Sequence, residues 1–393
     1  MGLYVHVPFC ATKCPYCDFN TYQGIESLLE PYLEALTAEL QLWGRVLSHP
    51  RVNTVFLGGG TPSYLPKHHL PKIFQVIDAS FGLQEDAEIT VEANPDDLNS
   101  SKCGEWLRLG VNRLSVGIQS MDDGLLKLLG RRHDSTQAVN AVKAAQDAGF
   151  SNINLDLMYG LPGQSMAQWQ DTLHRVMSLE PKHLSLYALT PEEGTPLHQW
   201  LKDGSVPQPD SDLAADMYQF AREHLAEAGF HHYEISNWSL AGCQARHNLG
   251  YWRNLPYLGV GPGAHSRLGD YRFWDISSPR SYLTNVKKWG ASNPEAFQTM
   301  GEAALESATP VDSWEHISPE IDCSETMILG LRLLDGMDLG EASAKVGADL
   351  EAVYGPQIEE LTGLGLLERN NGVLRLTSGT YLIANQVFTR FVG

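Results

Sequence analysis

Positive charge is what this sequence has least of. Its 393 residues carry 28 Lys and Arg against 47 Asp and Glu, a formal net charge of −19. Nucleic-acid binding needs a concentrated basic surface facing phosphate, so that class of partner is disfavoured. Permanent attachment to anionic lipid is disfavoured for the same reason. No apolar run approaches the roughly 20 residues that span a bilayer, and the N-terminus lacks a basic region followed by an apolar secretory stretch. Met1-Gly2 opens like a myristoylation signal, but His6 stands where a hydroxyl is expected. The expectation is a cytoplasmic protein with no permanent membrane anchor. Low-complexity tracts are missing, and so is any repeat beyond a strand–helix unit. A disulfide framework suits a small secreted chain, and this chain is neither.

The six cysteines are unevenly placed. Cys10, Cys14 and Cys17 crowd into one short stretch, which reads as metal binding. Cys103, Cys243 and Cys323 are scattered and read as small buried hydrophobes. The first half alternates short β-branched runs with amphipathic stretches. Strands are expected at Tyr4–Val7, Thr54–Leu57, Glu88–Ala93, Arg113–Ile118, Asn152–Leu157 and His183–Tyr187, with helical spacing in, for example, Leu28–Leu47. Such alternation implies parallel pairing through right-handed crossovers. Six units point to an α/β fold, a partial (β/α)6 barrel over 1–190, with its site at the carboxyl ends of the strands. Residues 191–310 form a second region that opens with a helix over Asp210–Ala228 and continues with irregular, aromatic-rich segments. Residues 311–393 form a small α+β module with two helical patterns and a wing around Gly372–Thr377, a winged-helix outline. Residues 320–393 hold 11 Asp and Glu against 5 Lys and Arg, a net of −6, so a packing module or lid is expected and a DNA reader is not.

The segment Cys10-Ala-Thr-Lys-Cys14-Pro-Tyr-Cys17 directly follows the first strand. Three thiolates on a short loop can hold three irons of a cubane and leave the fourth open, whereas full protein ligation takes four cysteines. The competing reading is structural zinc, which needs a fourth N or S ligand. His6 is the nearest candidate, but it precedes the loop in a strand and fits poorly.

Cys-x3-Cys-x2-Cys after a first strand, followed by Gly58-Gly59-Gly60-Thr61-Pro62, resembles the radical S-adenosylmethionine superfamily. The likeness narrows to its coproporphyrinogen dehydrogenase-like branch through Leu3–Cys10, Val91–Pro95, Ser115–Ser120, Leu129–Arg131 and Asn154–Pro162. That resemblance implies a [4Fe-4S] cluster on Cys10, Cys14 and Cys17, with S-adenosylmethionine on the open iron. Tyr4 would contact the methionine moiety, and Tyr16 would lend its backbone near the adenine. Gly59, Gly60 and Thr61 would line the methionine end. Glu92, Gln119, Arg131 and Asp156 would supply polar contacts to the carboxylate, ribose and neighbouring groups, and His265 would reach the adenosine through its backbone.

The branch contains oxygen-independent coproporphyrinogen III oxidases and haem chaperones of the HemW type. The oxidases carry a further cysteine two residues after the third, where this sequence has Phe19, and an N-terminal extension ahead of the residue matching Tyr4. His247-Asn248-Leu-Gly-Tyr251-Trp252 matches the His-Asn-x-x-Tyr-Trp motif of the chaperones. A neutral imidazole is a common haem ligand, and aromatic rings pack against a macrocycle, so His247 is expected on iron with Asn248, Tyr251 and Trp252 beside it. Without the family, a histidine held among core aromatics would be the better reading. The resemblance therefore implies a haem carrier that transfers haem to an acceptor protein, draws on an electron donor and forms a homodimer in some relatives. A radical enzyme acting on a tetrapyrrole is the rival.

Overall fold

The computed structural model describes residues 1–292 and 300–392. The strands run β1 (Gly2–Val7), β2 (Arg51–Gly59), β3 (Gly82–Ala93), β4 (Arg113–Gln119), β5 (Ile153–Tyr159), β6 (His183–Ala188), β7 (His231–Glu234), β8 (Asn237–Ser239), β9 (Tyr257–Val260), β10 (His265–Leu268), β11 (Tyr271–Asp275) and β12 (Val311–His316). They form one sheet in the order β12-β11-β10-β9-β1-β2-β3-β4-β5-β6-β8-β7. The pairs from β1 through β6 are parallel, with helices between them. This is the expected six-unit core. In β1, Leu3, Val5 and Val7 are fully covered, while Tyr4 and His6 alternate onto the face that lines a cavity. The helix expected over Leu28–Leu47 spans Leu29–Val46 and buries Leu33, Leu36, Leu40 and Trp43, the i, i+3, i+7 stripe of a packed helix.

Residues 191–310 extend that sheet together with β12, so Val311–His316, expected in the C-terminal module, belongs to the main sheet. The helix after Asp210 spans Ser211–Glu227, and the Asp210 carboxylate accepts from Asp212 and Leu213 N–H. β8 then pairs antiparallel with β6, closing one edge. At the other edge β9 enters parallel to β1, and β10, β11 and β12 follow as antiparallel neighbours. One hydrophobic core runs from Leu3 to Ala308, and a second is confined to Cys323–Phe391. That second core belongs to the C-terminal module, where three helices (Pro319–Gly330, Leu339–Val346 and Leu350–Gly363) stand before the wing in place of the two expected, and a fourth, Ala384–Phe388, follows it. Their companion is a small antiparallel sheet in the order β13-β15-β14, from β13 (Met337–Asp338), β14 (Leu367–Asn370) and β15 (Val373–Leu376). Among the described residues no helix is long and apolar enough to cross a membrane.

The short helix Arg246–Trp252 plugs the barrel at the amino-terminal ends of β1 and β2, opposite the cysteine loop. Its first N–H groups lack helical partners, and Ala245 at the cap offers no side-chain acceptor. Glu88 of β3 takes that place: its two carboxylate oxygens accept from Arg246 N and His247 N, each at 2.9 Å. Glu88 is 6% exposed, so losing the carboxylate strands two N–H groups away from water. Glu88→Ala should lower unfolding stability by about 1–3 kcal/mol, with Glu88→Gln milder because one acceptor survives. Urea-unfolding midpoints of the three proteins check this.

Candidate functional site

The loop after β1 is pinned at its base, where Cys10 N donates to Tyr22 O (2.9 Å) and Tyr22 N to Pro8 O (2.8 Å). Cys17 N donates to Cys14 O at 3.1 Å and tightens the turn between them. All three thiols are free and half-buried. Thr61 Oγ1 donates to Cys10 Sγ (3.4 Å), Arg131 Nη1 to Cys14 Sγ (3.6 Å), and Thr21 Oγ1 lies 4.0 Å from Cys17 Sγ. Burial pushes the Cys10 and Cys17 thiols up, against the pull of Thr61 and Thr21. Metal binding would displace those protons. The remaining cysteines stand elsewhere: Cys103 and Cys323 are buried as expected, but Cys243 is only partly covered. His6 has both ring nitrogens engaged, Nδ1 with Tyr4 Oη (3.0 Å) and Nε2 with the Asn20 carbonyl (2.9 Å). It therefore offers no fourth ligand for zinc in this arrangement. Three thiols without a fourth donor fit a [4Fe-4S] cluster on Cys10, Cys14 and Cys17. Such a cluster supplies an open iron and an electron to S-adenosylmethionine.

The glycines behind the loop are demanded by space. A Cβ on Gly59 (φ +102°) would fall 2.4 Å from the His6 ring, and one on Gly60 would fall 2.6 Å from the Val7 carbonyl. Gly59 N donates to Glu92 Oε2 at 3.1 Å. Burial, reinforced by Asp156, pushes the Glu92 carboxyl up to about 8 despite that hydrogen bond. Asp156 is also raised by burial, although it accepts from Asn154 Nδ2 (2.8 Å) and Ser115 Oγ (3.1 Å). Gln119 sits in the left-handed region (φ +68°) where the β4–β5 register shifts. Added to Gly117, a Cβ would lie 2.9 Å from Gln119 Nε2 and 3.2 Å from Arg131 Nη2, so both side chains close over that glycine. Arg131 Nη2 also donates to Asn94 Oδ1 (2.5 Å) and the Gly117 carbonyl (2.7 Å). The mouth thus gathers a guanidinium, whose Nε is buried without a partner, for a carboxylate, and two crowded carboxyls for a cation. Those are the needs of an amino acid bearing a sulfonium. Asn94 was not among the expected site residues. It follows the last residue of β3, and its extended backbone (φ −88°, ψ 144°) continues the alternation that places it on the Glu92 side.

Beside this mouth lies a cavity of about 880 Å³, lined by Tyr4, Gly59 and Glu92 on one side and by Tyr251, Trp252 and Tyr257 on another. Phe19, which is 62% exposed, stands at its edge. The C-terminal helix Pro319–Gly330 contributes Glu325, Ile328 and Leu329, so the module expected as packing or lid forms a wall. His247 does not share this opening. It is 3% exposed, with Nδ1 2.8 Å from Thr54 Oγ1 and Nε2 2.8 Å from Tyr251 Oη, and its ring stacks on Phe56 at 5.3 Å. The expected iron ligand therefore has no free nitrogen in this conformation, because the plug helix spends both on neighbours. Asn248 is half-buried on the same turn. Trp252 has Arg332 stacked 4.2 Å over its ring.

Residues 4–176 match the Radical SAM superfamily, and residues 317–379 match the HemN C-terminal domain. The chain is 33% identical over 391 residues to the heme chaperone HemW of Bacillus subtilis, covering 99% of this chain and 98% of that one. It is 35% identical to heme chaperone HemW of Mycobacterium tuberculosis over 398 residues, 100% of this chain and 95% of the relative. Among solved structures, the Escherichia coli coproporphyrinogen III oxidase HemN, a radical SAM enzyme, superposes with a TM-score of 0.83 at 22% identity over 99% of this chain and 89% of its own. At that identity the likeness is one of fold.

Glu92 gives the mouth a pH signature. Its folded value of about 8 lies above the ordinary 4.5, so the folded state holds an extra proton between those limits. That contribution to stability is complete below about pH 4.5 and is lost as pH rises through 8. In protein free of S-adenosylmethionine, Glu92→Gln should gain stability relative to wild type from pH 5 to about pH 8 and then level off toward pH 9. Thermal midpoints across that range measure it, and a gap independent of pH would contradict the buried, protonated carboxyl.

Proposed function

The chain belongs to the HemW family of the radical S-adenosylmethionine superfamily, and from that premise we propose that it is a haem chaperone. It carries a [4Fe-4S] cluster on Cys10, Cys14 and Cys17. S-adenosylmethionine lies across Tyr4, Tyr16, Gly59, Gly60, Thr61, Glu92, Gln119, Arg131 and Asp156. Haem occupies the adjoining cavity and passes to an acceptor protein in the cytoplasm, with an external donor reducing the cluster. The observation that carries this reading is the single cavity that joins Tyr4, Gly59 and Glu92 to Tyr251 and Trp252. A volume of about 880 Å³ is large for a small-molecule site, near the top of the usual range of about 300–1,000 Å³. Within the chaperone motif, His247 acts as a positioning residue that holds Tyr251 at the cavity wall through the 2.8 Å bond to its hydroxyl.

The rival, decarboxylation of coproporphyrinogen III, is opposed by Phe19. Where the oxidases have a cysteine, this chain presents an exposed aromatic ring at the cavity edge. Anaerobically reconstituted protein should bind haem and yield it to an apo-haemoprotein. Given coproporphyrinogen III, S-adenosylmethionine and a reductant, it should give no repeated turnover. Repeated turnover would establish the enzyme instead. Single replacement of Cys10, Cys14 or Cys17 by Ser should abolish cluster iron and sulfide, while replacing Cys103, Cys243 or Cys323 should leave both at wild-type levels. Iron and sulfide counts on the six variants decide that point.

A further inference from the structure

We infer that haem is seated against the cavity face of the β10–β11 hairpin, with His265 bonded to iron and Arg267 and Arg272 holding the propionates. This rests on the haem-chaperone reading and deepens it by assigning the groups that meet the cargo. Three histidines stand close to the cavity. His6 has both nitrogens committed, to Tyr4 and the Asn20 carbonyl, and His247 has both committed, to Thr54 and Tyr251. His265 lines the cavity, is exposed, and shows no hydrogen bond at either ring nitrogen among the described residues. Its ring is backed by Trp274 at 5.5 Å and 25°, which fixes its plane without using a nitrogen.

The hairpin register then supplies the rest. His265 pairs with Trp274 and Arg267 with Arg272, so strand alternation puts these four side chains on one face. The imidazole and the two guanidinium groups are two residues apart, about 6.8 Å along the strand. One end of this face offers a metal ligand and the other offers two cations. That matches a flat apolar ring with iron at its centre and two carboxylates on one edge. Phe19, Leu255, Ile328 and Leu329 supply apolar walls around it.

The two arginines already hold acids at this face. Arg267 pairs with Asp322 at 2.5 Å, and Arg272 pairs with Glu315 at 2.6 Å and with Glu325. Asp322 and Glu325 belong to the C-terminal helix, and Glu325 Oε2 is buried without a hydrogen-bond partner. Propionates entering the seat exchange with these side chains. Removing the Glu325 charge should therefore favour haem, a gain that misfolding does not produce.

The experiment is haemin titration of the full reconstituted chain, followed by the Soret band, with iron and sulfide counted in parallel. His265→Ala should lose the wild-type band position and regain it on addition of free imidazole, with cluster content unchanged. Arg272→Gln should keep the band position and weaken affinity roughly tenfold, the scale of one charge-assisted hydrogen bond. It should also lose wild type's preference for haemin over its dimethyl ester. Glu325→Gln should bind haemin more tightly than wild type. An unchanged spectrum and affinity in His265→Ala would overturn the inference, as would a band shift produced by His247→Ala and absent from His265→Ala. In both cases wild type still binds haem and the chaperone reading stands. Failure of wild type to bind haemin at all would defeat that reading and this inference together.

Discussion

A guanidinium held among strand ends must find hydrogen-bond acceptors for its donors, because solvent is not there to supply them. Arg131 meets that demand at its two terminal nitrogens with three elements at once, the Cys14 sulfur, the Asn94 side chain and the Gly117 carbonyl, and leaves its Nε buried without a partner. The cysteine loop, the end of β3 and the end of β4 are thereby referred to one side chain. Gln119 closes over the same glycine, and its positive φ is tolerated where the strand register slips. The rest of the mouth inherits its geometry from that junction. Gly59 and Gly60 bring backbone within reach because nothing larger fits against His6 and Val7. Burial pushes both the Glu92 and the Asp156 carboxyl up, and a cation arriving at the mouth would oppose that shift.

A second buried polar knot governs the other edge. Glu39 is fully covered; it accepts from Gly261 N at 2.9 Å and from Tyr282 Oη at 2.5 Å. Asp275 at the end of β11 is equally covered, and burial beside Glu39 drives its carboxyl well up. This knot fastens the glycine-rich turn before β10, and the end of β11, to the helix Leu29–Val46. The hairpin that faces the cavity is therefore anchored to the same helix that covers β1. Metal loop and cargo face are held in fixed relation through the core, although about 250 residues separate them in sequence.

The distance from sequence to structure differs sharply between the two edges. The six parallel strands were legible because each is a short run with buried apolar residues in a repeating strand–helix rhythm, a signal carried locally. Helix ends were legible where a cap is local, as at Asp210. The strands β7 to β12 were not, because they are three to six residues long and their partners lie far away: β9 is defined by β1, and β8 by β6. The cysteine triad was readable from spacing alone. His247 shows the limit of motif reading. Spacing brings an imidazole and two aromatics together, but it does not say which nitrogens remain free, and Thr54, nearly two hundred residues away, takes one of them. His265 carried no motif of its own beyond the glycines before it. Only the pairing of two short strands reveals that it shares a face with two arginines.

Charge brings these observations into one argument. A chain with a formal charge of −19 repels anionic cargo from most of its surface. Retention of a dicarboxylate therefore depends on local cations, and Arg267 and Arg272 stand together on adjacent strands to provide them. Bare guanidinium groups in a half-closed, partly apolar cavity would be costly, and acids of the C-terminal helix compensate them. In the proposed seat those acids would compete with the cargo, because every propionate bond formed would displace one already made. A carrier gains from that near balance: binding stays reversible, and an acceptor need supply only a modest surplus of affinity to take the haem. The C-terminal module, too acidic to read DNA, is in this account the counter-charge that makes release feasible.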